Sequence, residues 1–167
     1  MIDGYPPGTP GASRARLEAL EHHALDWRHR LAPRSHRLAT IHGDFHPFNV
    51  VFQSGAAFRL LDASRGCAGD PADDVSAMAI NYVFFAVDHP GAWPALRPLW
   101  KRFFALQEDP ELYEVIAPYL AWRALVVASP AFYPNLSGQA RDRILSLAEH
   151  ALEAPFFDPE WADEVFA

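Results

Sequence analysis

From Ser13 onward apolar residues recur at Leu17, Leu20, Ala24, Trp27 and Leu31, in steps of three and four. That period lays one stripe along a helix whose other faces carry arginine, glutamate and histidine. Ser13 suits its N-cap and Pro33 its end. The dozen residues before it hold three prolines and three glycines and predict an extended arm. Residues 38–41 form a short apolar run, followed by the polar-rich loop HGDFHPFN. Residues 49–52 and 58–62 are strand-like, and 53–57 join them into a hairpin. After a second loop, SRGCAGDP, the pattern turns helical. Pro71 suits a first helical turn, and Asp73 and Asp74 suit its positive end. Val75, Met78, Ala79, Tyr82 and Val83 predict that helix's apolar face. Further helices are predicted over 94–106, over 110–128 with a break or kink at Pro118, over 137–153 and over 159–166. The expected fold is mainly α with one small β-hairpin.

Composition narrows the function. A length of 167 residues matches one domain, and a 50% hydrophobic content is enough for a real core. The net charge is -7, and the acid excess lies late: residues 101–167 carry 5 bases against 11 acids. With no basic stripe, nucleic acid is excluded as a partner. The same excess hints at a cationic ligand. One cysteine, Cys67, excludes a disulfide framework and a multi-thiolate zinc site. No apolar run approaches 18 residues and the start has no basic n-region, so the expectation is a cytoplasmic protein with no membrane contact. Of the 14 basic residues only Lys101 is a lysine.

The chemistry gathers in the first loop. His42, Asp44, His46 and Asn49 fall within eight residues directly after an apolar run, and Asp62 closes the hairpin that follows. A carboxylate on such a loop can accept a proton from a substrate hydroxyl. An amide oxygen five residues later and a second carboxylate can converge on a divalent cation. Mg²⁺ prefers oxygen ligands and shares them between a few protein groups and substrate phosphates. The spacing Asp44-x-x-x-x-Asn49, with a downstream Asp, equals that of a kinase catalytic loop.

HGDFHPFNVVF followed by LLDASRGCAGDPADDVSAMA resembles the aminoglycoside phosphotransferase and choline kinase-like family, which pairs HGD-x-x-x-x-N with a later Asp and a GDP-x-x-D segment opening a helix. The matched stretch is about residues 40–79. The resemblance implies that Asp44 is the catalytic base and that Asn49 and Asp62 bind Mg²⁺ on the phosphates of ATP or another nucleoside triphosphate. It implies that Asp74 braces the catalytic loop and that His42 is a structural member of it. Phe48 stands where the family commonly has Gly, and Ala63-Ser64 where it has an aromatic-acid pair. The resemblance divides the chain into the arm, 1–12, and a kinase-like helical lobe, 13–167. Within the lobe lie a catalytic loop at 42–49, a metal-binding hairpin at 49–62 and a helical substrate-side region at 71–167. The implied reaction is transfer of a γ-phosphoryl group to the hydroxyl of a small acceptor, with aminoglycosides, choline-like amines, sugars and amino-acid hydroxyls all compatible.

Nucleotide kinases of this kind also use a strand-rich lobe with a phosphate-covering loop and a lysine. Only 41 residues precede His42, and they contain neither Gly-x-Gly-x-x-Gly nor lysine. The chain therefore reads as the C-terminal lobe of a protein-kinase-like fold without its ATP-binding lobe. That predicts exposed apolar surface around the first helix and the hairpin, to be covered by the missing lobe, a partner chain or self-association. Two rival readings remain: a non-catalytic, pseudokinase-like module that keeps the loop for structure, and a zinc hydrolase built on His42, Asp44 and His46. Asp73 reads as a solvated helix-start residue, and Trp93, Trp100, Phe103 and Phe104 as core.

Overall fold

A computed structural model describes residues 2–166. Helix α1 (Arg14–Leu31) starts where the pattern places it: the Ser13 side chain accepts the Arg16 N–H. Its buried residues are Leu17, Leu20 and Trp27, and the Trp27 indole donates to the Leu152 carbonyl at 2.9 Å. Ala24, predicted within the stripe, is exposed on the rim of a groove that α1 shares with the residues of a later helix.

Helix α2 (Ala72–Val87), α3 (Trp93–Ala105), the single-turn α4 (Leu112–Val115), α5 (Ala117–Val127), α6 (Gly138–Glu153) and the short α7 (Trp161–Val165) follow. Pro118 separates α4 from α5 by sitting in the first turn of α5, where its missing N–H costs nothing. Helices α2, α5 and α6 pack against one another as the centre of the core, with α1 and α7 on α6 and α3 on α2. Because α2 lies between neighbours it has no single apolar stripe. Ser76, Ala77, Ile80, Asn81, Ala86 and Val87 are buried alongside Ala79 and Val83, while Val75, Met78 and Tyr82 are only half-buried. Trp93, Trp100 and Phe104 are buried and Phe103 packs against them; Trp100 and Phe104 ring centroids lie 4.8 Å apart.

Two expectations need correction. The first is the extended arm. Residues 2–12 are turned and docked, opening with a 3-10 turn at Ile2–Gly4, and Ile2, Tyr5 and Ala12 are buried. The Tyr5 hydroxyl donates to the Leu125 carbonyl at 2.6 Å, and the buried Arg141 donates to the carbonyls of Ala128 and Pro10 at 2.7 and 3.0 Å. Apolar side chains among the prolines had surface to bury, and Arg141 supplied the donors.

The second correction concerns the β-structure, which is two ladders instead of one hairpin. Strands β2 (Val50–Ser54) and β3 (Ala57–Leu60) form the predicted hairpin, with Val50 opposite Leu60 and Gly55 at φ +58° in a two-residue turn. Strands β1 (Ala39–Ile41) and β4 (Cys67–Gly69) pair antiparallel, Ile41 opposite Cys67. The Cys-Ala-Gly of β4 has no β-branched residue, so only its pairing makes it a strand. The consequence for the site is direct. Two antiparallel ladders in the order β1–β2–β3–β4, paired 1 with 4 and 2 with 3, bring the β1–β2 loop beside the β3–β4 loop. No helix among the described residues is long and apolar enough to cross a membrane.

Candidate active site

The β1–β2 loop holds His42, Gly43, Asp44, His46 and Asn49; the β3–β4 loop holds Asp62, Ser64 and Arg65. Gly43 sets their spacing. Its φ is +78°, and a Cβ there would stand 2.4 Å from the Arg65 carbonyl oxygen, so only glycine permits this approach. From the first turn of α2 the Asp74 carboxylate accepts the N–H groups of His42 and Gly43 at 2.7 and 2.9 Å. His42 ties the loops together, its Nδ1 accepting the Asp44 N–H at 3.3 Å and its Nε2 lying 2.8 Å from the Leu61 carbonyl. Those partners assign the proton to Nε2.

The Asp44 side chain, 16% exposed, is ringed by two guanidinium groups and an imidazole that stop short of hydrogen-bonding it. Arg65 Nη1 is 3.5 Å away, Arg123 Nη1 3.8 Å and His46 Nε2 3.8 Å. Among the described residues no hydrogen bond reaches either Asp44 carboxylate oxygen, so both are open to a donor from outside. Asn49 is oriented by its Nδ2, which donates to the Asp44 carbonyl at 3.0 Å and approaches His46 Nε2 at 3.3 Å. Its Oδ1 takes no donor among the described residues.

Asp62 adopts a left-handed backbone, φ 53° and ψ 55°, at the exit of the hairpin. That region is uncommon for a non-glycine residue and most accessible to Asx types. The Ser64 hydroxyl donates to Asp62 Oδ1 at 2.6 Å and, as the main cause, holds its carboxyl below the ordinary range. Asn49 and Asp62 thus present one neutral oxygen and one ionised carboxylate, a hard donor set that fits Mg²⁺ if phosphates and water complete its shell. No group of three or more His, Cys, Asp or Glu side chains converges as a metal site among the described residues.

Two further residues, Arg123 and Asp73, belong to this site. Arg123, from α5, donates through Nη2 to Asp73 Oδ1 at 2.7 Å, so Asp73 is an ion-pair partner and not a solvated helix start. Its Nε is buried without a partner, as is His46 Nδ1. With Asp44, His46, Phe48 and Asn81, Arg123 lines a cavity of about 100 Å³ between the loop, α2 and α5. The one sequence signal for Arg123 is its isolation: it is the single charge in the otherwise apolar run 117–127 apart from the Tyr119 hydroxyl. No sequence pattern singles out Arg65. Lys101, by contrast, is held far along the chain, paired with Glu160 and with Asp163.

The hairpin leaves Val51, Phe52, Phe58, Leu60 and Leu61 exposed, with Phe52 and Phe58 paired across its strands. A second cavity of about 340 Å³, almost wholly apolar, lies between that hairpin and helices α2 and α3 and is lined by Val50, Phe52, Met78, Tyr82 and Phe85 among others.

No curated protein and no solved structure matches the chain significantly. A family model does match, over residues 7–119, which takes in α1, both ladders, the two loops, α2 and α3. The span covers more than half of the chain and every loop residue described above, and by it this chain belongs to the phosphotransferase enzyme family.

Proposed function

We propose that the protein transfers the γ-phosphoryl group of ATP or another nucleoside triphosphate to a hydroxyl of a small acceptor, with Asp44 as the base. The observation that carries this reading is the Asp44 carboxylate itself. It is held on a braced loop, largely buried, with cations nearby and both oxygens unbonded. The acceptor hydroxyl donates to that carboxylate. Its oxygen attacks the γ-phosphorus as the proton passes to Asp44, and the bond to the β–γ bridging oxygen breaks to release the nucleoside diphosphate. Asn49 and Asp62 hold Mg²⁺, which when bound neutralises charge on the phosphates. Positioning and charge placement supply most of the rate.

The reading makes this chain the C-terminal lobe of a kinase-like fold, with the nucleotide-covering lobe contributed from elsewhere. The β2–β3 hairpin supports that arrangement, because five large apolar side chains on it and at its exit lack cover. In the full-length protein Asp44→Asn is expected to lower turnover by about 10²–10⁴-fold with nucleotide binding kept. Turnover at the unsubstituted rate would overturn the assignment. A second reading, a non-catalytic module that keeps the loop for structure, is favoured by the engagement of the single lysine at Glu160 and Asp163. Mg²⁺-dependent nucleotide binding and hydrolysis by the full-length protein separate the two, since the module predicts neither.

A further inference from the structure

The cavity beside Asp44 has a chemical bias. At about 100 Å³ it is small beside the roughly 300–1,000 Å³ of sites for drug-sized ligands, so it suits an acceptor of a few heavy atoms. Its polar lining is unevenly satisfied. Arg123 makes one hydrogen bond of ordinary length, to Asp73, while its Nη1 bonds to nothing among the described residues and its Nε is buried without a partner. His46 adds to this. Asn49 must turn its Nδ2 toward the Asp44 carbonyl, and the same NH₂ meets His46 Nε2 at 3.3 Å. His46 Nε2 is therefore the acceptor, and the proton of the neutral ring sits on Nδ1, the atom buried without a partner. The cavity is thus lined by two side chains that each keep a buried N–H without a partner, Arg123 also leaving its Nη1 unbonded, and by one carboxylate, Asp44, reserved for the acceptor hydroxyl.

The acidic residues that give the chain its net charge are not there. Asp109, Glu111 and Glu114 pair with Arg34 and Arg37, Asp142 and Glu149 with Arg16, and Glu160 and Asp163 with Arg97 and Lys101. Asp73, from the first turn of α2, is already taken by Arg123. A cationic acceptor would bring its ammonium against the Arg123 guanidinium. An anion would give that guanidinium the oxygen partners it lacks.

We infer that this cavity selects a small anionic hydroxyl compound, one bearing a carboxylate or phosphate a few bonds from its hydroxyl, with Arg123 as the anion's anchor. The inference rests on the phosphotransferase reading only for the use made of the hydroxyl; the binding preference stands by itself. The test is calorimetric titration of the full-length protein, without nucleotide, with D-glycerate, glycerol 3-phosphate, glycerol and 2-amino-1,3-propanediol. These probes differ mainly in charge. D-glycerate or glycerol 3-phosphate is expected to bind at least tenfold more tightly than glycerol, and the amine most weakly. The relative strength of the two anions tells carboxylate from phosphate. Arg123→Gln is expected to remove the anion's advantage, about ten- to a hundredfold, without changing glycerol binding, and Arg123→Lys to restore part of it. Equal binding of all four probes, a preference for the amine, or an Arg123→Gln variant that weakens anion and glycerol alike would overturn the inference. Phosphoryl transfer is read separately. Anion-selective binding with no transfer would sink the phosphotransferase reading alone, whereas transfer to the amine in preference to the anions would keep that reading and sink this one.

Discussion

Two arginines of this fold stand among carboxylates, and the structure treats them in opposite ways. Arg37 is 6% exposed and every guanidinium nitrogen is bonded. Its Nε and Nη2 reach Asp70 at 2.7 and 2.9 Å, its Nη1 and Nη2 reach Asp109 at 2.9 and 2.6 Å, and Nη1 meets Glu111 at 3.3 Å. Asp70 in turn accepts the Ala72 N–H at 2.9 Å. The cluster clamps the chain before β1, the end of β4, the start of α2 and the turn before α4 into one unit. Arg123 is nearly as enclosed, 11% exposed, yet keeps a buried Nε with no partner and an Nη1 3.8 Å from Asp44. Burial of a charge therefore does not mark the site; incomplete satisfaction does. A completed network holds the fold, and one left open beside a free carboxylate is arranged for something that arrives later.

The sharpest way to break this contrast is to remove each arginine. Arg37→Ala leaves Asp70, 7% exposed, without its counter-charge, and a loss of about 3–5 kcal/mol is expected from urea unfolding. Arg123→Met deletes one ion pair to the partly buried Asp73 but also deletes the orphaned Nε, so its cost is expected to stay below about 1.5 kcal/mol. Equal costs would show that both arginines serve the fold. Next in size is Asp74→Ala, which strips the acceptor from two backbone N–H groups. About 1–3 kcal/mol of stability is expected to go, and turnover to fall further than stability explains. Asp74→Asn, which keeps one acceptor oxygen, should recover part of both; an Asp74→Ala variant with full turnover would remove the brace from the mechanism.

The same contrast explains what could be read from the chain. Asp44, Asn49, Asp62 and Asp74 fall within about thirty residues, on loops set by short local ladders, so their grouping was visible as a spacing. Arg123 approaches Gly43 from 80 positions away and Asp44 from 79, and its partner Asp73 from 50. No local pattern encodes a meeting made by packing α5 on α2. The helices were legible where caps and a 3.6 period agreed, as at Ser13 and Ser137, both of which accept a backbone N–H at their helix starts. Helix α2 was legible in extent but not in its buried face, because neighbours on several sides override a single stripe. Strand β4 and the docked N-terminal residues were not legible, since small residues and prolines carry no periodicity and only tertiary contacts order them.

The smallest expected effect tests the closed cluster through acid. Arg37, hydrogen-bonded to Asp109, holds that carboxyl below its ordinary value near 3.8. The unfolded chain takes up its proton at the ordinary value and the folded chain only at a lower pH. The stabilisation from this pair is thus complete above about pH 4 and is lost as pH falls through the folded value. Thermal unfolding followed from pH 5 to pH 2 should show a steep acid limb in the native sequence. Asp109→Asn should lower the melting temperature at pH 5 and flatten that limb. The equivalent change at Asp62, whose carboxyl is held low chiefly by the Ser64 hydroxyl at a solvent-exposed position, should flatten it less, because water screens the interaction. An Asp62→Asn variant that altered the limb as much as Asp109→Asn would place acid sensitivity in the open site instead of the clamp, and the division between the two arginines would no longer hold.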